Sequence, residues 1–246
     1  MFAPSALAGG PGGVPAVSPS VPVATRTPAA PALRLAPVTS RFHSLLYKGP
    51  VFQKTATGEI LPYVPGTPTL LSATTSPTTG GSPVGVTASG GSPVGVTAAL
   101  KPELLVPGST ARYVGGIAAA PMAAPVAVQQ MIWSADQIIG LPYIYGGGHA
   151  SFTSPGYDCS GTVSFALHGA SLLSVPQDSS ELMGFGARGL GRWVTIFSNP
   201  EHAYVTVAGL RLDTSSADDP SNQQGPRWRP LRSANSGYTA RHPAGL

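Results

Sequence analysis

The chemistry of this chain centres on Cys159, the only cysteine among 246 residues. Asp158 precedes it, a glycine-rich loop leads into it, and the residues that follow, up to about His168, predict a helix. Because Asp158 is a good N-cap residue, we expect Cys159 to begin that helix. Unpaired N–H groups and the positive end of the helix dipole favour a thiolate there, which makes Cys159 a candidate nucleophile for acyl transfer.

A thiolate that attacks a carbonyl group needs a base within hydrogen-bond reach, and the base needs a partner that fixes its tautomer. His202 and Asp213 suit these roles, because the apolar runs 202–208 and 210–214 predict antiparallel strands joined by a tight turn at a glycine. His202 would begin one strand, and Asp213 would lie beside it near the end of the next. We therefore expect His202 to take the thiol proton and the backbone N–H of Cys159 to help bind the oxyanion.

Other interpretations of these residues stay open. Cys159 could be an inert buried thiol, His202 could simply begin a strand, and Asp213 could be an ordinary turn acid. A zinc site formed by Cys159 and the other histidines matches no known ligand spacing, so no metal is expected. A phosphate cradle at the glycines 146–148 is disfavoured because no Walker lysine follows.

The elements that would position these residues follow in order along the chain. Apolar residues three or four apart predict a helix over about 126–139, ended by Gly140. A short helix capped at Asp178 or Ser179 and a strand at 192–197 come next. Helices followed by an antiparallel meander predict an α+β domain in which the nucleophile helix packs on the sheet.

The two halves of the chain differ in composition. Residues 1–125 hold most of the 27 prolines and a minority of the aromatic residues, so they predict a low-complexity, disordered spacer. Within it, 41–70 could form a short hairpin, and the nonapeptide GGSPVGVTA occurs twice between 80 and 98. Residues 126–246 contain the regular apolar runs and predict the single folded domain.

Charge and hydropathy limit the possible partners. The net charge of +4 comes from residues 1–125, whereas residues 126–246 contain no lysine, so we expect no nucleic-acid binding by the domain. A single cysteine excludes an intrachain disulfide, and no apolar run is long enough for a transmembrane segment. The A-L-A pattern at 6–8 is similar to a signal-peptide cleavage site but lacks the basic and long apolar regions that normally precede one.

Together these motifs resemble the NlpC-type cell-wall cysteine peptidases, a papain-like family that cleaves peptidoglycan. The resemblance covers about residues 127–215. It depends on G-x-P-Y at 140–143, an aromatic-Gly-Gly step at 145–147 and the D-C-S-G motif at 158–161. Two further segments resemble the family's L-P-x-x-S and H-V-G-I-Y-x-G patterns, namely L-L-S-V-P-Q-D-S-S at 172–180 and H-A-Y-V-T-V-A-G at 202–209.

The resemblance implies a fold, a reaction and a set of site residues. The fold would be a papain-like α+β domain at 126–246, preceded by the disordered region. The reaction would be hydrolysis of an amide bond in peptidoglycan stem peptides, without a cofactor, by a monomeric protein that is secreted or cell-wall associated. The catalytic residues would be Cys159, His202 and Asp213, and the residues at the stem-peptide end of the substrate would be Tyr143, Asp158 and Ser160.

The chain departs from the family pattern at three places. The strand at 191–197 lacks the aspartate of the family's G-D-L-V-F-F segment, Tyr204 stands where the family has glycine, and the R-W-R motif at 227–229 has no counterpart. Trp228 and its two arginines could grip a carboxylate-bearing peptide or a sugar ring, or Trp228 could simply be packed. An acyltransferase or amidase of the same fold on another substrate, or a catalytically inactive wall-binding module, are the alternative functions.

Overall fold

The computed structural model describes residues 47–65, 101–219 and 221–246. The repeat between 80 and 98, the pattern at 6–8 and the remainder of the predicted spacer lie outside these residues. The described part is a mixed α+β structure of three helices and eleven strands, as the sequence predicts. None of the described helices combines the length and the apolar character needed to cross a membrane.

The first sheet is built from short strands. They are β1 (Phe52–Lys54), β2 (Ile60–Pro62), β3 (Glu103–Val106), β4 (Arg112–Val114) and β5 (Ile117–Pro121), in the order β2-β1-β3-β5-β4. Neighbouring strands are antiparallel except β3 and β5, which are parallel. The β1–β2 pair confirms the hairpin predicted within 41–70, although residues 41–46 and 66–70 lie outside the described part.

The described part of residues 1–125 is therefore not the disordered spacer that its composition predicted. Leu105 and Ala120 belong to the same buried core as α1 (Val126–Ile138), the first helix. Trp133 of α1 donates from Nε1 to the carbonyl oxygen of Leu104 at 2.8 Å. Strands as short as β3 and β5 have weak local signals, and they are stabilised by packing on α1 rather than by their own propensity.

The three helices lie close to where the sequence patterns predict them. The apolar stripe of α1 is buried, as its spacing requires. The second helix, α2 (Cys159–Gly169), begins at the cysteine. The third, α3 (Ser179–Leu182), begins with a capping box in which Asp178 and Glu181 each accept a hydrogen bond from the other's backbone N–H at 2.8 Å.

The second sheet is antiparallel and carries α2. Its strands are β6 (Ala187–Arg188), β7 (Val194–Ser198), β8 (Ala203–Val207), β9 (Leu210–Asp213), β10 (Arg227–Arg229) and β11 (Thr239–His242), in the order β10-β9-β8-β7-β11-β6. The pairing of β7, β8 and β9 confirms the predicted meander. Ala208 and Gly209 connect β8 to β9 with φ of 47° and 93°, the left-handed conformation of a tight hairpin turn. Because α2 packs against β8 and β9, the helix that carries Cys159 lies on this sheet.

The segment after residue 217 adds two strands to this sheet. Strand β10 extends the sheet beside β9, and β11 pairs with β7. Trp228 is only 2% exposed, and Arg229 is fully buried, with its guanidinium bonded to Asp219 and to backbone carbonyl oxygens. The hypothesis that Trp228 grips a ligand is therefore wrong, and the alternative of a packed tryptophan is confirmed.

Asp136 joins α1 to both sheets. Its Oδ1 accepts hydrogen bonds from the backbone N–H of Ala118 in β5 at 2.9 Å and from Nε1 of Trp228 in β10 at 2.6 Å. Its Oδ2 is buried without a hydrogen-bond partner. Burial raises the pKa of this carboxyl to about 8, although the two hydrogen bonds and the charge of Lys101 act in the opposite direction. Asp136 is therefore mostly protonated at neutral pH.

Candidate active site

Cys159 occupies the first position of α2. Its thiol is free and about 9% exposed. Asp158 is the N-cap, and its Oδ1 accepts a hydrogen bond from the backbone N–H of Gly161 at 2.8 Å. The predicted cap is thus confirmed, and the sulfur lies at the positive end of an eleven-residue helix.

The glycine-rich loop before α2 lies directly against the first turn of the helix. A Cβ atom at Gly161 would come within 2.0 Å of the carbonyl oxygen of Gly147, so the two backbones leave no room for a side chain. The backbone N–H of Asp158 also donates to the Gly147 oxygen at 3.2 Å. The glycines of this loop therefore allow the backbone to approach Cys159 closely.

His202 and Asp213 lie side by side at the ends of neighbouring strands. His202 immediately precedes β8, Asp213 is the last residue of β9, and His202 Nε2 is 2.9 Å from Asp213 Oδ1. The Asp213 side chain is fully buried, whereas that of His202 is 20% exposed. Asn199 fixes the histidine backbone, because its Oδ1 accepts the His202 N–H at 2.8 Å. Since Nε2 is bound to Asp213, Nδ1 is the ring nitrogen left for another partner.

Cys159 lies close enough to this imidazole to affect its protonation. Burial alone would lower the pKa of His202, but hydrogen bonds with the side chains of Asp213 and Cys159, together with their negative charges, raise it to about 9. The structure therefore brings Cys159, His202 and Asp213 together.

Asp213 has a buried counter-charge that the sequence analysis missed. Nη1 of Arg211 lies 3.3 Å from Asp213 Oδ2, and both side chains are fully buried. Asp213 Oδ1 also accepts the backbone N–H of Ser215 at 2.8 Å, and Arg229 Nε donates to the Asp213 carbonyl oxygen at 2.9 Å. The signal for Arg211 was present in the sequence, because residues two apart on a strand share a face.

The three residues expected at the stem-peptide end differ in accessibility. Tyr143 is 42% exposed. Its pKa is raised by burial and then by the charges of Cys159 and Asp158. Asp158 and Ser160 are only 4% and 2% exposed. Of the three, Tyr143 is the side chain most accessible to a substrate.

His149 forms a second histidine–aspartate cluster beside α2. Its Nε2 lies 3.0 Å from Asp158 Oδ1 and 2.9 Å from Ser160 Oγ. Asp158 Oδ2 also accepts the backbone N–H of Gly146 at 3.0 Å. From the sequence, the only role weighed for His149 was that of a zinc ligand. In the described part of the chain, no group of three or more His, Cys, Asp or Glu side chains could hold a metal ion.

Comparisons with known proteins gave no match: no family model matches the chain, and no curated protein matches it. A function is therefore inferred from the geometry around Cys159 and from the motifs that surround it in the sequence.

Proposed function

We propose that this protein is a cysteine peptidase of the NlpC type, papain-like in fold, that hydrolyses amide bonds in peptidoglycan stem peptides. One observation carries the proposal. A thiol at a helix start has an imidazole partner whose other nitrogen is bound by a buried carboxylate. This is the arrangement used for nucleophilic acyl transfer. The substrate and the secreted or wall-associated location come from the resemblance of the motifs.

The proposed reaction starts from a thiolate–imidazolium pair. Because the pKa of His202 is about 9, the imidazole holds the proton that the Cys159 thiol has given up, and the ring is an imidazolium at neutral pH. The thiolate adds to the amide carbon, and the imidazolium then protonates the departing amine. Water, deprotonated by the now neutral His202, hydrolyses the thioester, which releases the acid and restores the thiolate–imidazolium pair.

Asp213 and Arg211 support this cycle through charge. Asp213 holds the Nε2–H of His202 and stabilises the imidazolium. A buried carboxylate is costly unless it is paired, and Arg211 supplies the opposite charge 3.3 Å away. In NlpC-type peptidases this position holds a polar residue such as histidine, asparagine or glutamine. A neutral side chain would need no such partner, so the pair of Arg211 and Asp213 would replace a single polar residue.

Digestion of purified peptidoglycan tests the proposal. The full chain is used rather than residues 126–246, because β3 and β5 pack on α1. Wild-type protein should release peptides with new amino termini, identified by mass spectrometry, and Cys159→Ala should release none. Equal release by both proteins would contradict the proposal. Acyl transfer to an added amine in place of hydrolysis would favour an acyltransferase, and binding without release would favour an inactive wall-binding module.

A further inference from the structure

A cluster of aromatic and cationic side chains lies beside His202 and has no part in the acyl-transfer steps. It consists of Tyr204 on β8, Tyr238 just before β11, and Arg232 in the segment between β10 and β11. The ring of Tyr238 is 6.4 Å from the imidazole of His202 and 5.1 Å from the ring of Tyr204, measured between ring centres. The cluster therefore lies next to His202, between β8 and the C-terminal segment.

Tyr204 anchors this segment to the sheet. Its side chain is fully buried, and its ring stacks on Phe197 at 5.1 Å. Its hydroxyl donates a hydrogen bond to Oδ1 of Asn235. The large side chain thus holds residues 232–238 against the start of β8, next to His202.

Arg232 is the charged member of the cluster that is open to a ligand. Its guanidinium lies 5.4 Å from the ring centres of both Tyr204 and Tyr238, and Nη1 donates to the Tyr238 hydroxyl at 3.3 Å. The side chain is partly exposed, and Nε is buried without a hydrogen-bond partner.

Arg232 also lacks a counter-charge. Among the ion pairs of the described residues, none includes Arg232. The other arginine near Tyr204 is Arg211, which is fully buried and paired with Asp213. A partly exposed guanidinium that is held by two aromatic rings, and that forms no ion pair in the described part of the chain, is suited to bind a carboxylate.

We propose that Arg232 binds a carboxylate of the substrate beside His202, so that the site selects acidic peptides over their neutral, amidated counterparts. The inference rests on the proposed function, since it assigns the substrate class of the same site. Arg232 would contact the substrate's carboxylate and not the scissile amide. Its effect should therefore appear in KM more than in kcat.

Two matched substrates and two arginine variants test this role. The substrates are a stem peptide with a free D-glutamyl α-carboxylate and the same peptide with a carboxamide there. Wild-type protein should show a kcat/KM at least about tenfold higher for the acid, as one charge-assisted contact allows. Arg232→Gln should remove most of that preference and leave hydrolysis of the amide little changed. Arg232→Lys, which keeps the charge but not the planar fork, should retain part of it.

Arg192 offers the control. Its guanidinium also lies over an aromatic ring, 5.4 Å from the centre of Trp193. Arg192 precedes the first residue of β7, whereas the last residue of β7, Ser198, pairs with the start of β8 next to His202. Arg192 therefore lies at the end of β7 away from His202. Arg192→Gln should keep the acid preference of the wild type. Thermal unfolding of both Gln variants shows whether the packing of either arginine is needed for folding.

Binding to the Cys159→Ala protein separates this inference from the proposed function. If Cys159→Ala binds the acid peptide more tightly than the amidated peptide, and the double variant with Arg232→Gln binds both equally, Arg232 binds the carboxylate. This conclusion holds even if the wild type hydrolyses neither peptide. If the wild type hydrolyses both peptides with equal KM, the peptidase stands and the role of Arg232 is overturned. That result decides the matter even if Arg232→Gln does not fold.

Discussion

Two histidine–aspartate pairs flank Cys159, and only one is arranged for proton transfer. The contact distances are nearly equal, 2.9 Å for His202–Asp213 and 3.0 Å for His149–Asp158. Asp213 binds Nε2 of His202 and leaves Nδ1 for the thiol. In the second pair, Asp158 and Ser160 both contact the same ring nitrogen of His149, Nε2.

The surroundings of the two carboxylates reinforce the difference. Asp213 is fully buried against Arg211, and its contact helps to raise the pKa of His202 to about 9. Asp158 instead accepts backbone N–H groups from the loop and from the first helical turn. A short histidine–aspartate distance is therefore a poor guide to catalysis. Both acids are buried, so the better guides are the partners of the ring and the arginine beside Asp213.

Replacing each histidine with alanine should show the largest difference between the two pairs. His202→Ala removes the acid–base group, so we expect kcat/KM on peptidoglycan fragments to fall about 10²- to 10⁴-fold. His149→Ala removes contacts between the loop and the start of α2, at Asp158 and Ser160, and the loss should stay below about tenfold. Initial rates of peptide release measure both. Equal losses would show that the two clusters do not have separate roles.

Alkylation compares the effects of the two histidines on Cys159 without a substrate. Iodoacetamide should modify Cys159 of the wild type well below pH 8, because an imidazolium partner favours the thiolate. At pH 6 we expect His202→Ala to react at least about tenfold more slowly, whereas His149→Ala should react at the wild-type rate. Mass spectrometry of the single cysteine gives the rate. A thiol that reacts only after unfolding would rule out an activated nucleophile.

The charge of Asp213 should set the alkaline limit of activity. His202 must be protonated to release the amine, so kcat/KM should fall as the pH rises through about 9. Asp213→Asn removes a carboxylate that raises this pKa, and the alkaline limb should therefore move toward the ordinary histidine value of 6.5. Asp158→Asn serves as the control and should leave the limb in place. An unmoved limb in Asp213→Asn would assign it to another group.

The smallest expected effect concerns Asp158 and is seen in stability. Asp158→Ala removes the N-cap of α2 and should lower the free energy of unfolding by about 0.5–2 kcal/mol. Asp158→Asn can still cap the helix and should lose less. Urea unfolding at neutral pH measures the two values. Equal losses in the two variants would mean that charge, and not capping, is the main contribution of Asp158.

Local sequence patterns predicted the parts of the site that depend on neighbouring residues. Helical spacing, the cap at Asp158 and the turn at Gly209 are local, so α1, α2 and the β8–β9 hairpin follow from the sequence. The adjacency of His202 and Asp213 follows from that hairpin and is confirmed. The catalytic roles of these residues, and of Cys159, stay predictions.

What the sequence did not predict depends on contacts between distant segments. The short strands β3 and β5 pack against α1, and composition alone does not report that packing. Tyr238 lies near His202, and Arg232 lies on Tyr238, although both residues are at least about thirty positions later in the chain and no motif indicates the contact. Asp136 bonds a tryptophan 92 positions later. Such pairs depend on the three-dimensional packing of the chain.

Asp136 also makes the stability of the fold depend on pH. An unfolded chain gives up this proton near the ordinary value of 3.8, whereas the native protein keeps it until about pH 8, so stability should decline across that interval. His202 acts in the same direction between 6.5 and about 9. Mildly acidic solution should thus preserve the protein best. Asp136→Asn, which cannot ionise, should flatten the pH dependence of its melting temperature between about 4 and 8.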